Sequence, residues 1–414
     1  MSGDARRATL RRFPFPYRAM LAVCSDLDRT PSAAVYLDSM RFLNTTSDTP
    51  FGRGVGLEVG NSIYFDMPPG QVSYWNVDGQ VRGRLRTLIK SGHIDCLHSF
   101  GDLATTRERA AVALDELNRH DCRMRVWVDH AVAPSNFGAD RMAGQGDIVD
   151  SPAFHADLTC GFGIEYVWRG RVTSVAGQNA PRTLRGLFNA SRPISSLTTI
   201  AKETSKGVLA RAKHAKYAMH AENRLMRPVR LRSGHAVVEF MRANPHSGGV
   251  SCGDTADGLG EVLTSALINR LTAREAVTIL YTHLGKFRDP AGPFSAATRA
   301  GLQRLAARQA SGDILVTTTR RVLDYCRMIE QVSFTATTAG DTTWIDVSRD
   351  DRASSDERLD ISHVEGLTVY VDQPSTTRVR VSGHECADLR RNPPDQSGRP
   401  SVSIPWTRLE FPDI

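Results

Sequence analysis

The 414-residue chain has no apolar run long enough to cross a bilayer as a helix. Its basic beginning, MSGDARRATLRRFPFP, is not followed by an apolar signal-peptide core, so residues 1–17 read as a basic surface or disordered arm. Cysteine pairing is also missing. Cys24, Cys96, Cys122, Cys160, Cys252, Cys326 and Cys386 stand singly with no CxxC pair, which argues against a zinc ribbon or a disulfide scaffold. It fits reduced thiols in a cytoplasmic protein. A phosphate-binding loop is absent too, because GRGVG (52–56) lacks the lysine and hydroxyl that such a loop needs.

What is present is an ordinary globular composition with 41% hydrophobic residues and a net charge of +7. The positive charge is concentrated between Lys202 and Arg232, where only Glu203 and Glu222 oppose nine basic residues. Contact with phosphate or an acidic glycan is one expectation for residues 202–232, and a solvated helix face is the other. No nucleic-acid partner and no membrane span are expected.

Short β-prone runs, among them AMLAVCSD (19–26), IDCLHSF (94–100), RVWVDH (125–130), AVVEFMR (236–242) and VTILYTH (277–283), alternate with helical patterns. Helices are expected over 105–120, 256–272 and 295–309. Strand followed by helix recurs about eight times, which predicts an α/β fold with parallel strands. A distorted (β/α) barrel of seven or eight strands is expected over 18–328, although a doubly wound sheet would read similarly. Residues 331–414 change texture, with alternating runs such as GLTVYVD and TTRVRVSG and no strong helix. They predict a small C-terminal antiparallel β domain of sandwich type.

In such a barrel, functional groups gather at the C-terminal ends of the strands. The runs end in Asp26 and Asp28, in His98 with Asp102 just beyond, in Asp129-His130 with Asn136 in the following loop, in Arg242, and in His283. The Thr105–Glu108 pattern predicts a capped helix starting near 105, which leaves Asp102 in a turn near His98. An imidazole and two carboxylates suit zinc or another divalent metal. His93 begins its strand and belongs to the opposite end.

The motifs AVCSDLD (22–28), LHSFGD (97–102) and TILYTHLG (278–285) resemble those of the polysaccharide deacetylases with a NodB-homology domain, carbohydrate esterase family four. The resemblance implies a general base at Asp26 and a general acid at His283. It implies a metal, zinc by preference, held by Asp28, His98 and Asp102. Substrate contacts are expected from His130, Asn136 and Arg242, and the substrate from a sugar or glycan precursor carrying an N-acetyl group. The sequence departs from the family in three places. Its first motif is D-x-D rather than adjacent aspartates, Asp102 stands where the family has histidine, and the arginine motif after strand four is absent. SDLDRT (25–30) and CGDTADG (252–258) also resemble fragments of the haloacid-dehalogenase phosphatases, which would make Asp26 a nucleophile and Asp28 an acid/base. A catalytically inactive barrel that binds glycan or protein is a third reading.

Overall fold

The structure, a computed structural model, describes residues 8–212, 217–289, 292–350 and 359–414. Eleven strands form one large sheet: β1 (Ala19–Ser25), β2 (Asn61–Ile63), β3 (Ile94–His98), β4 (Val126–Val128), β5 (Tyr166–Trp168), β6 (Val172–Thr173), β7 (Met226–Arg230), β8 (Ala236–Phe240), β9 (Arg242–Ala243), β10 (Val277–Thr282) and β11 (Ile314–Val316). Their hydrogen-bonded order is β7-β8-β5-β4-β3-β2-β1-β10-β9-β6, with β11 against the start of β1. All these pairings are parallel except β7 with β8. Every residue of β1 and β3 is buried, as parallel strands covered on both faces require.

The sheet curls, and it is not the closed eight-stranded barrel of the simplest expectation. Its two arms meet through continuous chain. β8 pairs with β5, β9 pairs with β10, and only Met241 separates β8 from β9. A single run, 236–243, thus touches both arms and brings Arg242 to the interior.

The covering helices are α1 (Ala33–Asn44), α2 (Gly79–Lys90), α3 (Arg107–Arg119), α4 (Ala156–Phe162), α5 (Pro193–Arg211), α6 (Ala218–Glu222), α7 (Val250–Gly253), α8 (Ala256–Val262), α9 (Ser265–Ala273), α10 (Ala296–Ala310) and α11 (Thr319–Gln331). Side-chain caps set several of their starts. Ser32 accepts from the Val35 N–H, Asp78 from Val81, and Ser295 from Thr298. The single helix expected over 256–272 is two helices, because Thr264 caps a new start by accepting from the Leu267 N–H. α3 begins at Arg107 behind Thr106, two residues later than the Thr105 pattern predicts.

Beyond α11 the chain enters strand Val332–Ala339 directly. The C-terminal region holds two four-stranded sheets. One contains a parallel pair, Thr342–Arg349 with Thr377–Val381, so the expectation of a wholly antiparallel domain holds for the other sheet alone. That second sheet takes its edge from the N-terminus, where Thr9–Leu10 pairs with Val369–Tyr370. The described part of the expected free arm is therefore packed structure. Arg11 is 6% exposed and donates to Asp395 and to the Phe13 and Tyr17 carbonyls. Residues 1–7 lie outside the described residues.

Arg321 on α11 ties the two regions together. It donates to the buried Glu58 at 2.7 Å, to Glu365 at 2.7 Å and to the Thr407 carbonyl, with its guanidinium 4.0 Å from the Trp406 ring. Glu58 also accepts from the Thr317 hydroxyl and the Leu409 N–H. This is the end of the barrel opposite the strand C-termini, and His93 sits here edge-on to Phe411. Removing one partner of a buried ion pair leaves the other charge uncompensated in a dry site. Arg321→Ala is expected to lower unfolding stability by about 3–5 kcal/mol, read as a reduced urea midpoint. Arg321→Lys is expected to recover only part of it, because an ammonium cannot reproduce the planar fork.

Candidate metal and acid-base site

Asp26, Asp28, His98, His130 and His283 converge at the C-terminal ends of β1, β3, β4 and β10. Adjacent pairings set the depth at which they meet: His98 lies opposite Val128, two residues before His130, and Ser25 lies opposite Thr282, one residue before His283. Asp28 Oδ1 is 3.4 Å from His98 Nε2 and 3.3 Å from His130 Nε2. One ligand atom from each of these three residues falls within 4.8 Å of the other two, a set able to hold a metal ion. Two ligand atoms each about 2.1 Å from a tetrahedral zinc stand about 3.4 Å apart, so the spacing fits such an ion. The hydrogen-bond pattern fits as well. Asp28 Oδ1 and both ring nitrogens of the buried His98 lack a hydrogen-bond partner, an arrangement that costs free energy unless something else fills it.

The expected metal set, Asp28, His98 and Asp102, is corrected in one member. Asp102 Oδ1 bonds His130 Nδ1 at 2.9 Å, so the aspartate orients a histidine whose other nitrogen faces Asp28. A carboxylate behind a ligating imidazole fixes its tautomer and raises its basicity. His130, expected as a substrate contact, takes the third place. Asn136, expected in the same role, is fully buried. It accepts from the His130 N–H and donates to the His130 and Ala131 carbonyls, clamping the turn that carries the imidazole.

Arg242 is corrected too. It has no exposed surface and lies inside the sheet, donating to both oxygens of Asp26 at 2.9 Å. Its guanidinium is held 3.5 Å from the Trp168 ring centroid and 4.3 Å from that of Tyr281. A substrate contact is therefore out of its reach, and it holds Asp26 instead.

The three candidate ligands share a backbone feature. Each is followed at once by a non-glycine residue in the left-handed region: Arg29 at φ 59°, Ser99 at φ 50° and Ala131 at φ 42°. The chain turns away directly after presenting its side chain, a conformation that costs free energy and clusters at functional sites. Tyr64 completes the wall, with its ring 5.7 Å from His98 and 5.5 Å from His130.

Burial alone would raise the pKa of Asp26, yet Arg242 and His98 outweigh it and keep the carboxylate ionised. Asp28 also starts from a large burial penalty, and the facing imidazoles of His130, His283 and His98, 3.3–3.4 Å away, hold it far below the usual carboxylate range. Burial lowers the pKa of His98 against the pull of Asp26 and Asp28, which favours a neutral imidazole. For His130, burial is the largest influence and lowers it, but Asp102 and Asp28 together push it up to about 10.

His283 accompanies the set. Its Nδ1 donates to the Asp254 carbonyl at 2.7 Å, and its Nε2 lies 3.4 Å from Asp28 Oδ2 and 3.3 Å from the Tyr281 hydroxyl. Lys286 Nζ stands 3.5 Å from Asp28 Oδ2. Sequence reasoning missed Tyr64, Asp254, Tyr281 and Lys286. The position of Lys286, three residues after His283, was the available signal, and Asp254 lay inside the segment matched to a phosphatase motif. That segment, 252–258, lies in helices α7 and α8 and the turn between them and does not itself end a strand. In the basic stretch, Lys206, Arg224, Arg227 and Arg232 pair with Glu203, Glu222, Glu239 and Asp147. Lys213 and Lys216 lie outside the described residues.

No protein-family model and no curated protein matches this chain.

Metal titration tests the site. One zinc or cobalt ion per chain is expected in competition with a chromophoric chelator, and His98→Ala is expected to abolish binding. Asp102→Asn is expected to weaken it about 10–100-fold, the usual cost of losing the partner behind a ligand. The pH dependence has a definite sign. His130 is protonated in the metal-free site at pH 7 and must lose that proton to ligate, so affinity rises with pH by about tenfold per unit below 10. Calorimetry in buffers of different ionisation enthalpy is expected to show one proton released per metal.

Proposed function

We propose that the chain is a metal-dependent hydrolase that removes an acyl group, N-acetyl by preference, from a sugar or glycan precursor. The observation that carries this reading is an ionised Asp26, pinned by Arg242, beside an Asp28–His98–His130 cluster with unsatisfied donor atoms. A divalent cation, zinc by the nitrogen and oxygen donor set, would supply Lewis-acid polarisation of the acyl oxygen and lower the pKa of water.

The remaining steps belong to the chain's own groups. Asp26 is the general base. Arg242 occupies both of its oxygens from one side and fixes the carboxylate plane, so the proton it accepts arrives from the Asp28 side, where His98 Nδ1 stands 3.7 Å from Asp26 Oδ1. His283 is the general acid. With Nδ1–H committed to the Asp254 carbonyl, Nε2 is the atom that delivers a proton to the leaving amine or alcohol. His98 and Asp26 are buried while the Asp28 side chain is 21% exposed, so substrate approaches over Asp28. The D-x-D spacing serves this division. Asp26 and Asp28 both turn toward His98, while Leu27 between them packs in the core with Tyr36 and Met40.

The phosphatase reading has less support, since the segment matched to its magnesium motif, 252–258, lies in helices α7 and α8 and their connecting turn rather than ending a strand. Its test is magnesium-dependent phosphate release from an aryl phosphate, for which none is expected.

Acetate release from N-acetylated oligosaccharides by the zinc- or cobalt-loaded protein tests the proposal. Asp26→Asn and His283→Ala are each expected to lower the rate by about 10²–10⁴, the range for a general acid or base, while retaining one bound metal. Wild-type protein that binds metal yet releases no acetate from any acetylated sugar offered would leave the inactive binding barrel as the better description.

A further inference from the structure

Large apolar side chains face solvent in the segments that follow the C-terminal ends of the strands. Leu103, next to Asp102, is 41% exposed, and Val132, two residues after His130, is 72% exposed. Because Asp102 and His130 are bonded to each other, Leu103 and Val132 flank the same opening. Val149 projects from the loop that covers β3 and β4, a loop fixed by the Gly146 N–H to Asn136 carbonyl bond and the Arg107 N–H to Pro152 carbonyl bond.

Helix α5 lies at the same end of the sheet, with Glu203 bonded to Thr173 and Ser174 where β6 ends. Its first turns sit on the loop leaving β9, through the bond from the Thr199 hydroxyl to the Ser247 carbonyl at 3.0 Å. Ile194 and Leu197, three residues apart and so on one face of the helix, are 81% and 58% exposed, with Phe188 beside them at 53%. Scattered exposed apolar residues are ordinary, but a group gathered at one end of the fold around a site marks an interaction surface. Cations accompany it: Arg29 immediately after Asp28, Arg141 in the β4–β5 loop and Lys202 on α5, eight residues past Ile194, are all exposed.

We propose that this catalytic face docks on an anionic phospholipid bilayer. The apolar side chains enter the boundary between headgroups and acyl chains, and the arginines and lysine meet lipid phosphates, the combination by which monotopic helices and loops hold to a membrane. Charge complementarity decides for this occupant over a neutral apolar partner, which would leave the cations desolvated and unpaired. Docking in this orientation brings the opening over Asp28 against the headgroup layer. No helix among the described residues is long and apolar enough to cross a membrane, so attachment is from one side.

Co-sedimentation of the full chain with vesicles tests the proposal. Binding is expected to vesicles of phosphatidylglycerol mixed with phosphatidylcholine, to be weak on phosphatidylcholine alone, and to fall at about 0.5 M salt, where screening is short-ranged. Lys202→Ala is expected to lower partitioning about fivefold, the worth of one cation at such a surface. The double variant Ile194→Asp with Leu197→Asp is expected to lower it at least about tenfold, since both side chains would otherwise leave water. These positions face solvent, so the double variant keeps its circular dichroism spectrum and any release of acetate from soluble sugars. Equal or absent binding to the two vesicle types overturns the proposal, as does undiminished binding by the double variant. A wild-type dimer that the double variant splits would make a second copy of the chain the occupant and overturn it as well. The vesicle result stands whether or not the protein proves to be a deacetylase.

Discussion

An ionised carboxylate inside a curled β-sheet is the constraint around which the rest is arranged. Asp26 is 1% exposed, and a bare charge there would shift to its neutral form rather than stay ionised. Arg242 prevents this with two parallel hydrogen bonds, and the faces of Trp168 and Tyr281 hold the fork flat. The pair also explains a feature of topology. The segment that carries the guanidinium to the centre, 236–243, belongs to both arms of the sheet, with Met241 between β8 and β9. Replacing both charges by apolar groups would cost little stability, as buried ion pairs generally show. The pair therefore makes sense as a device that keeps Asp26 charged and correctly aimed.

Much of the site was legible in the sequence because a strand that is buried on both faces reads as an apolar run, and the polar residue that breaks the run stands out. Asp26, Asp28, His98, His130 and His283 each end such a run, and the structure brings all five together. What the sequence could not carry was depth across neighbouring strands. β3 and β4 pair with His98 opposite Val128, so His130 reaches one step beyond His98 and arrives beside Asp28, while Asp102 is left behind His130. A turn aspartate four residues from a histidine looks like a ligand until that offset is known. Arg242 and Asn136 were misread for a related reason, since polar residues near a strand end are equally suited to facing outward and to bracing their neighbours from within.

The limits on reading the fold were of the same kind. The β/α alternation follows from local pattern, and the texture change after α11 marks a second region. Pairing between Thr9–Leu10 and Val369–Tyr370 joins residues at opposite ends of the chain, and nothing in a short basic segment signals such a partner. The parallel pairing of Thr342–Arg349 with Thr377–Val381 is likewise invisible in alternation, which is identical for either strand direction.

The buried histidines give an internal standard for the metal reading. His155 is fully buried, and both of its nitrogens are bonded, to the Thr159 hydroxyl and to the Ser135 carbonyl. It is the structural histidine that a folded core tolerates, held neutral with its pKa pushed down to about 4 by burial. His98 is equally hidden and has neither bond, although two acids, Asp26 and Asp28, and Tyr64 lie beside it. Among the described residues it is the histidine with both ring nitrogens buried and unpartnered. The left-handed residues after Asp28, His98 and His130 add backbone strain at the same three points. Packing alone gives no reason for strain and unmet hydrogen-bonding capacity to coincide. A cation shared by these residues would account for both, because it would satisfy the donor atoms that these turns present.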